Sequence, residues 1–380
     1  SMAGDYYETL IYVEDDEEAI LDYLKKNIIA DHISLCKGKK AVFIEIKARQ
    51  FLDKEILSQL CSTFKIPMVK ELKPVLPVLS GKDMEVPFIT CQEMLEYNED
   101  RGLDLWQLAV DYERARGNIP AGEVFAKMKN IVRIMKKSIL AGIKGTRYED
   151  RILGYQSGFF KKQMHENRLL DGGMLNQMIL YTTALMEVKS SMGVIVACPT
   201  AGSCAALPGA CIGAADAMGL SEDEITKAML AAGMMGIFIS AQATFAAEVG
   251  GCQAECGAAS GMAAAALVIL GKGDTKQAID AASLALQNIF GMVCDPVANR
   301  VEVPCLGKNV MAAANALACA NMALAHFDAV MPLDEVIEAM DKVGKSIPFE
   351  LRCTALGGLS VTKTSKRIEE KLKKGKIGII

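Results

Sequence analysis

Aromatic side chains are scarce in this 380-residue sequence: one tryptophan, and 6% Phe, Trp and Tyr together against a hydrophobic fraction of 51%. The apolar content therefore rests on aliphatic residues, alanine, methionine and cysteine. A basic excess is also lacking. With 42 basic and 46 acidic side chains the net charge is −4, which excludes a non-specific nucleic-acid binder built on a positive surface. Histidine is limited to His32, His165 and His326, none of them near the cysteine-bearing loops. No Cys-x-x-Cys pair occurs, so neither a zinc ribbon nor a thioredoxin-type site fits. The N-terminal stretch is acidic from Glu14 to Glu18, the opposite of a signal peptide's basic start, and predicts a cytoplasmic protein. In a reducing compartment the twelve cysteines are thiols or metal ligands rather than disulfides.

Mean hydropathy is +0.21. Residues 231–270 are the most apolar stretch, with Glu248 and Glu255 as its only charges. Both acids sit mid-run beside Gly250, Gly251 and Gly257, whereas a spanning helix needs roughly 20 uninterrupted apolar residues. Two buried small-residue helices with a loop between them are expected there, and no membrane association.

Length and composition divide the chain near residue 85. Residues 1–85 read as a small α/β module of open role, too short for an independent enzyme core. Ala41–Ile46 is strand-like, residues 52–64 carry helical spacing (Leu52, Ile56, Leu57, Leu60), and Pro74, Pro77 and Gly81 mark a linker. Residues 86–380 read as one large, mostly helical domain without an internal repeat. Thr90-Cys-Gln-Glu93 fits a capping box, and residues 121–143 form an amphipathic helix with Val124, Met128, Ile131, Ile134, Met135 and Ile139 on one face. Val194-Ile-Val196 is the one strand-like run beyond Gly172. Lys366–Lys376 reads as a solvated basic helix end.

The informative cysteines lie beside glycine or proline. Cys252 is in Glu248-Val-Gly-Gly-Cys-Gln-Ala-Glu255, Cys294 in Val293-Cys-Asp-Pro-Val297, and Cys305 in Glu302-Val-Pro-Cys305. Such placement at loop or element ends suits thiolates aimed at a soft metal centre, with an iron–sulfur cluster as the natural thiolate-only case. Core packing, as for Cys319 inside a helical run, is the competing reading. Pro199-Thr-Ala-Gly-Ser-Cys204 precedes a helix and offers backbone N–H groups and two hydroxyls as an anion cradle. The alternative is an N-cap supplied by Thr200 or Ser203.

Taken together, these four ordered motifs, continued by Asn315-Ala-Leu and Thr354-Ala-Leu-Gly-Gly358, resemble the α domain of iron–sulfur-dependent L-serine dehydratases over about residues 88–365. The resemblance implies a mostly helical α domain and a [4Fe–4S] cluster held by Cys252, Cys294 and Cys305. It also implies that Cys198, Cys204, Cys211 and Cys256 are not ligands. The implied reaction is elimination of water and then ammonia from L-serine, giving pyruvate, with an open cluster iron as Lewis acid. Catalytic candidates in the matching loops are Ser203, Thr200 and Lys308. Candidates for substrate binding are Ala201, Gly202, Ser203, Asn309, Asn315 and Lys161.

The chain departs from the family pattern in three places. Ser157-Gly-Phe-Phe-Lys-Lys-Gln163 stands where members carry a loop of the type Ser-Gly-Leu-Thr-Gly-Gly. Leu306-Gly-Lys-Asn309 replaces a more basic run. No Ser-Ser-His-Thr run, supplied by the family's β domain, occurs here. A separate β subunit that completes the site is one consequence. The other is a different substrate, a larger β-hydroxy acid such as a hydroxymethyl dicarboxylate, with Lys161 and Lys162 meeting its extra carboxylate, or cysteine. A non-catalytic cluster-binding subunit is the reading from another class. A homodimer is expected by analogy.

Overall fold

In the computed structural model, residues 7–14, 16–37, 42–48, 50–72 and 85–373 are described. The chain divides into two compact units, Ser1–Lys82 and Asp83–Ile380. The first is built from β1 (Tyr7–Val13), α1 (Glu17–Asn27), β2 (His32–Lys37), β3 (Val42–Ala48), α2 (Lys54–Thr63) and β4 (Met68–Leu72). Its four strands pair antiparallel in the order β2-β3-β1-β4, the split βαβ arrangement. Thr9, Ile11 and Val13 of β1 and Ile44 and Ile46 of β3 turn to one face, because side chains alternate along a strand. There they meet Ile20 and Leu24 of α1 and Leu60 of α2. The expected strand and helix are β3 and α2. The other three strands and α1 had no separate reading in the sequence. The expected linker residues Pro74, Pro77 and Gly81 lie outside the described residues.

The second unit is helical: α3 (Cys91–Asn98), α4 (Leu105–Gly117), α5 (Ala121–Lys144), α6 (Gln156–His165), α7 (Met174–Ser190), α8 (Ala206–Met218), α9 (Glu222–Gln242), α10 (Ala247–Gly250), α11 (Ala258–Leu270), α12 (Thr275–Gln287), α13 (Cys305–Leu324), α14 (Leu333–Ser346) and α15 (Lys363–Lys373). The protein is thus mostly α with a small N-terminal α/β module. Thr90 forms the expected capping box on α3: its hydroxyl accepts from Glu93 N at 3.2 Å, and the Glu93 carboxylate accepts from Thr90 N at 3.0 Å. Helix α5 buries Val124, Met135 and Ile139 of its predicted face, leaves Met128, Ile131 and Ile134 half-buried, and buries Val132, which lies outside that prediction. Lys366–Lys373 lie on α15, and the rest of the predicted basic end is outside the described residues. Val194–Val196 is not a strand. It is an irregular segment held by a hydrogen bond from the Ser138 hydroxyl to the Val194 carbonyl, and among the described residues no strand pairs with it.

Helix α11 is the centre of this unit. All its residues except Ile269 are buried, and α8, α9, α12 and α13 pack around it. A helix apolar on every side has to be enclosed by other helices. The stretches Glu222–Gln242 and Gln253–Leu270 are long and apolar enough to cross a membrane, yet 67% and 89% of their most apolar 18 residues lie buried inside the protein. Small side chains make the close packing possible. A Cβ on Gly209 of α8 would stand 2.8 Å from the Thr182 backbone of α7.

One buried carboxylate docks α6 onto α7. Glu187 accepts from Gln156 N at 2.6 Å, from Ser157 N at 3.3 Å and from the Ser157 hydroxyl. Burial raises its pKa, and these donors offset only part of that rise. The folded chain therefore holds this proton to a higher pH than the unfolded chain does. The stability it contributes is complete below the unfolded value and is lost as pH rises through the folded one. Glu187→Gln should remove that decline, so the melting temperature of the variant should gain on the parent as pH rises. Parallel melting profiles against pH would overturn the assignment.

Candidate active site

Three chain segments converge where α11 begins. The first reaches Cys252 through Gly251, whose φ of +71° suits glycine, and where a Cβ would meet the Met292 carbonyl oxygen at 2.7 Å. Cys252 is followed by a π-helical turn, Gln253–Gly257, that runs directly into α11. Turns of this kind are frequent at functional sites. Gln253 locks the loops together: its side chain donates to the Met340 carbonyl at 2.6 Å and accepts from Gly291 N at 2.8 Å. The second segment carries Cys294 between α12 and α13. Cys305, in the third, is the first residue of α13.

One ligand atom each from Cys252, Glu255 and Cys294 lie within 4.8 Å of one another, so these side chains could hold a metal ion. Cys305 stands outside this group but is close enough to feel the Cys252 charge. The donor set suits a soft metal: thiols from separate segments, with no histidine among them. Hydrogen bonds from the Cys256 and Cys294 thiols hold Cys252 as a thiolate, with its pKa lowered to about 4. Cys256 is pushed upward by the same hydrogen bond and by burial, and Cys305 is pushed up to about 12, mainly by burial. Cys198, Cys204 and Cys211 are buried thiols that burial likewise raises.

The Thr200–Ser203 loop faces this cluster. The Thr200 hydroxyl donates to Glu255 Oε1 at 2.7 Å and lies 3.1 Å from the Ser203 hydroxyl. Ser203 is fully buried, and Ala201 is exposed. Gly202 leaves room for the carboxylate, since a Cβ there would sit 2.9 Å from Glu255 Oε1. Burial raises Glu255 to about 7, with neighbouring Cys252 and Glu248 adding to the rise and Thr200 opposing it. Sequence reasoning did not single out Glu255. Its signal was its place as one of two charges in a 40-residue apolar stretch.

Neither Thr200 nor Ser203 caps α8. The α8 N-terminus is capped from another helix: Asn309 of α13 accepts from Ala205 N at 3.3 Å and from Ala206 N at 3.1 Å. Its amide donates to the Gly202 and Cys305 carbonyls, each at 2.9 Å, and to Cys256 Sγ at 3.6 Å. Asn309 is fully buried with these groups engaged, so it positions the loop. Lys308 donates to Asp295 Oδ1 at 2.9 Å, to the Val293 carbonyl at 2.6 Å and to Cys252 Sγ at 3.8 Å. Burial alone would lower its pKa, but the Cys252 thiolate and Asp295 together raise it. The Lys308 ammonium is thus paired with Asp295 beside the Cys252 sulfur.

Asn315 is not brought to the site. It donates to Ser260 and to the Ala285 carbonyl, both at 3.0 Å, and thereby ties α11, α12 and α13 together. Lys161 is exposed on α6, and Lys162 pairs with Glu166 at 3.9 Å. Thr354–Gly358 belongs to a segment fastened over the Cys294 loop. Leu359 N donates to Asp295 Oδ2 at 2.9 Å, and the Ser360 hydroxyl donates to the Pro296 carbonyl at 2.8 Å. That segment carries Cys353, which the sequence patterns left unassigned and which packs against the cluster that contains Cys294.

Comparison with known proteins gives a family profile, serine dehydratase alpha chain, matching residues 100–360. The chain is similar to the probable L-serine dehydratase alpha chain of Bacillus subtilis, at 33% identity over 291 residues, 77% of this chain and 97% of that protein. It is also similar to the L-serine dehydratase alpha chain of Peptoniphilus asaccharolyticus, at 35% identity over 73% of this chain and 96% of that one. L-serine dehydratase 1 of Escherichia coli is 31% identical over 72% of this chain and 62% of its own length.

Proposed function

The chain belongs to the serine dehydratase alpha chain family, and on that premise we propose that it eliminates water and then ammonia from L-serine to give pyruvate. The observation that carries this reading is the convergence of Cys252, Cys294 and Glu255 beside the Thr200–Ser203 loop. In this reading Cys252, Cys294 and Cys305 hold a [4Fe–4S] cluster. When bound, the cluster supplies an open iron that acts as a Lewis acid toward the substrate carboxylate and hydroxyl.

The chain's own residues divide the remaining work. Glu255 takes the Cα proton of the substrate on a carboxylate oxygen. Its pKa near 7 suits a group that must accept and return a proton at neutral pH. Thr200 fixes the orientation of that carboxylate, and Ser203 fixes Thr200. Lys308 remains cationic and sustains the negative charge of Cys252, while Asp295 holds Lys308 in place. Asn309 ties the Thr200–Ser203 loop to the start of α13, and so to Cys305. The enamine product tautomerises and loses ammonia in water without further help from the chain.

A separate β chain is proposed to complete the site. Support comes from the alpha-chain names of the relatives. Anaerobic reconstitution with ferrous iron and sulfide, with iron counted and pyruvate followed from L-serine, tests both statements. A colourless, iron-free chain overturns the cluster. Full turnover by the chain alone overturns the need for a partner.

A further inference from the structure

Cys353 sits against Cys294 although some sixty residues of chain separate them. Cys294 N donates to the Leu351 carbonyl at 2.8 Å, and Cys353 N donates to the Cys294 carbonyl at 2.9 Å, on either side of a parallel bridge between Cys294 and Arg352. In a regular pairing, Cys353 would face away from Cys294, because successive side chains alternate. Its φ of +61° breaks that alternation, and Cys353 packs against the cluster that contains Cys294. Both pack with Ala247 and Cys252 in one small cluster. Cys294 is 4% exposed, whereas Cys353 is only partly buried. The pair therefore joins a partly buried cysteine to a buried one, the arrangement of an oxidant-sensing cysteine with its resolving partner.

We propose that in the metal-free chain Cys294 and Cys353 form a disulfide when a peroxide is present, which withdraws one cluster ligand until a thiol reductant restores it. The Cys353 sulfur attacks the peroxide and gives up its proton, the O–O bond breaks, and with hydrogen peroxide one water leaves as Cys353 becomes a sulfenic acid. The Cys294 sulfur then attacks that sulfur, loses its proton, and a second water departs as the S–S bond forms. Two thiols are oxidised by two electrons and one peroxide is reduced to two waters. The consequence for loading rests on the reading that Cys294 is a cluster ligand; the disulfide itself does not.

The test uses the full chain, stripped of iron with a chelator and reduced, then treated with one equivalent of hydrogen peroxide and alkylated. Mass spectrometry of unreduced peptides should find Cys294 joined to Cys353. Uptake of ferrous iron and sulfide without added thiol should be lost, as in a chain lacking that ligand sulfur, and dithiothreitol should restore it. Cys353→Ser should keep its iron uptake after peroxide, and Cys319→Ser should behave like the parent. A link between Cys252 and Cys294, or undiminished uptake by the oxidised parent, overturns the proposal. Failure of the reduced parent to take up iron overturns the cluster reading instead, and leaves the mapped disulfide standing.

Discussion

Replacing Cys252, Cys294 or Cys305 by alanine, one at a time, should abolish iron uptake and serine turnover together, whereas Cys319→Ala should preserve both. The three residues enter from separate places: the start of the π-helical turn, the extended segment before α13, and the first turn of α13. Losing the Lewis acid removes several kcal/mol of transition-state stabilisation, so turnover should fall by about 10³-fold or more. Cys319 is a different case. It lies inside α13, fully buried, with its sulfur 3.3 Å from Asn288 Nδ2. Truncation there removes one small buried group and costs about 1 kcal/mol of stability. Iron content per chain and pyruvate formation, measured on anaerobically loaded protein, check the contrast. Iron retained in all three variants overturns the ligand set.

Asn309→Ala should be the most destabilising single substitution at the site. The amide is fully buried and serves two N–H groups at the start of α8 and two carbonyls in neighbouring segments. Removing it strands these groups away from water, at about 1–3 kcal/mol for each left unsatisfied. With partial relaxation, a total loss of roughly 3–5 kcal/mol is expected, a large share of a typical folding free energy of about 5–15 kcal/mol. Thermal unfolding of the metal-free chain should show a drop of about 5–8 °C. Asn309→Asp should also fail, because it keeps the acceptor but loses the donors and adds a negative charge close to Cys256 and Cys305. The same measurements separate positioning from substrate contact. A residue that only bound serine would raise KM and leave the melting temperature unchanged.

Local signals were legible wherever the chain's own geometry sets the outcome. The capping box at Thr90 and Glu93, the amphipathic face of α5 and the β-branched run of β3 are read within a few residues, and all three elements formed. Val194–Val196 had strand composition, but among the described residues no strand pairs with it, and sheet pairing is a tertiary event. The N-terminal sheet was hidden for the same reason: β1 becomes a central strand only when β3 and β4 are brought to its two edges.

At the site, the sequence by itself determined the chemical vocabulary and the family. The loop-bound cysteines, the Pro199–Cys204 turn and the two acids within an apolar stretch are one-dimensional facts. Tertiary structure decided which of these groups meet. It set the Glu255 carboxylate on Thr200, gave the capping of α8 to Asn309 of α13, placed Lys308 in an ion pair and seated Cys353 against Cys294. The physical reason is that periodicity and capping are governed by backbone geometry over a few residues. A buried donor, by contrast, takes whichever acceptor the packing of distant helices leaves within reach, and the cost of leaving it unpaired is what fixes that choice.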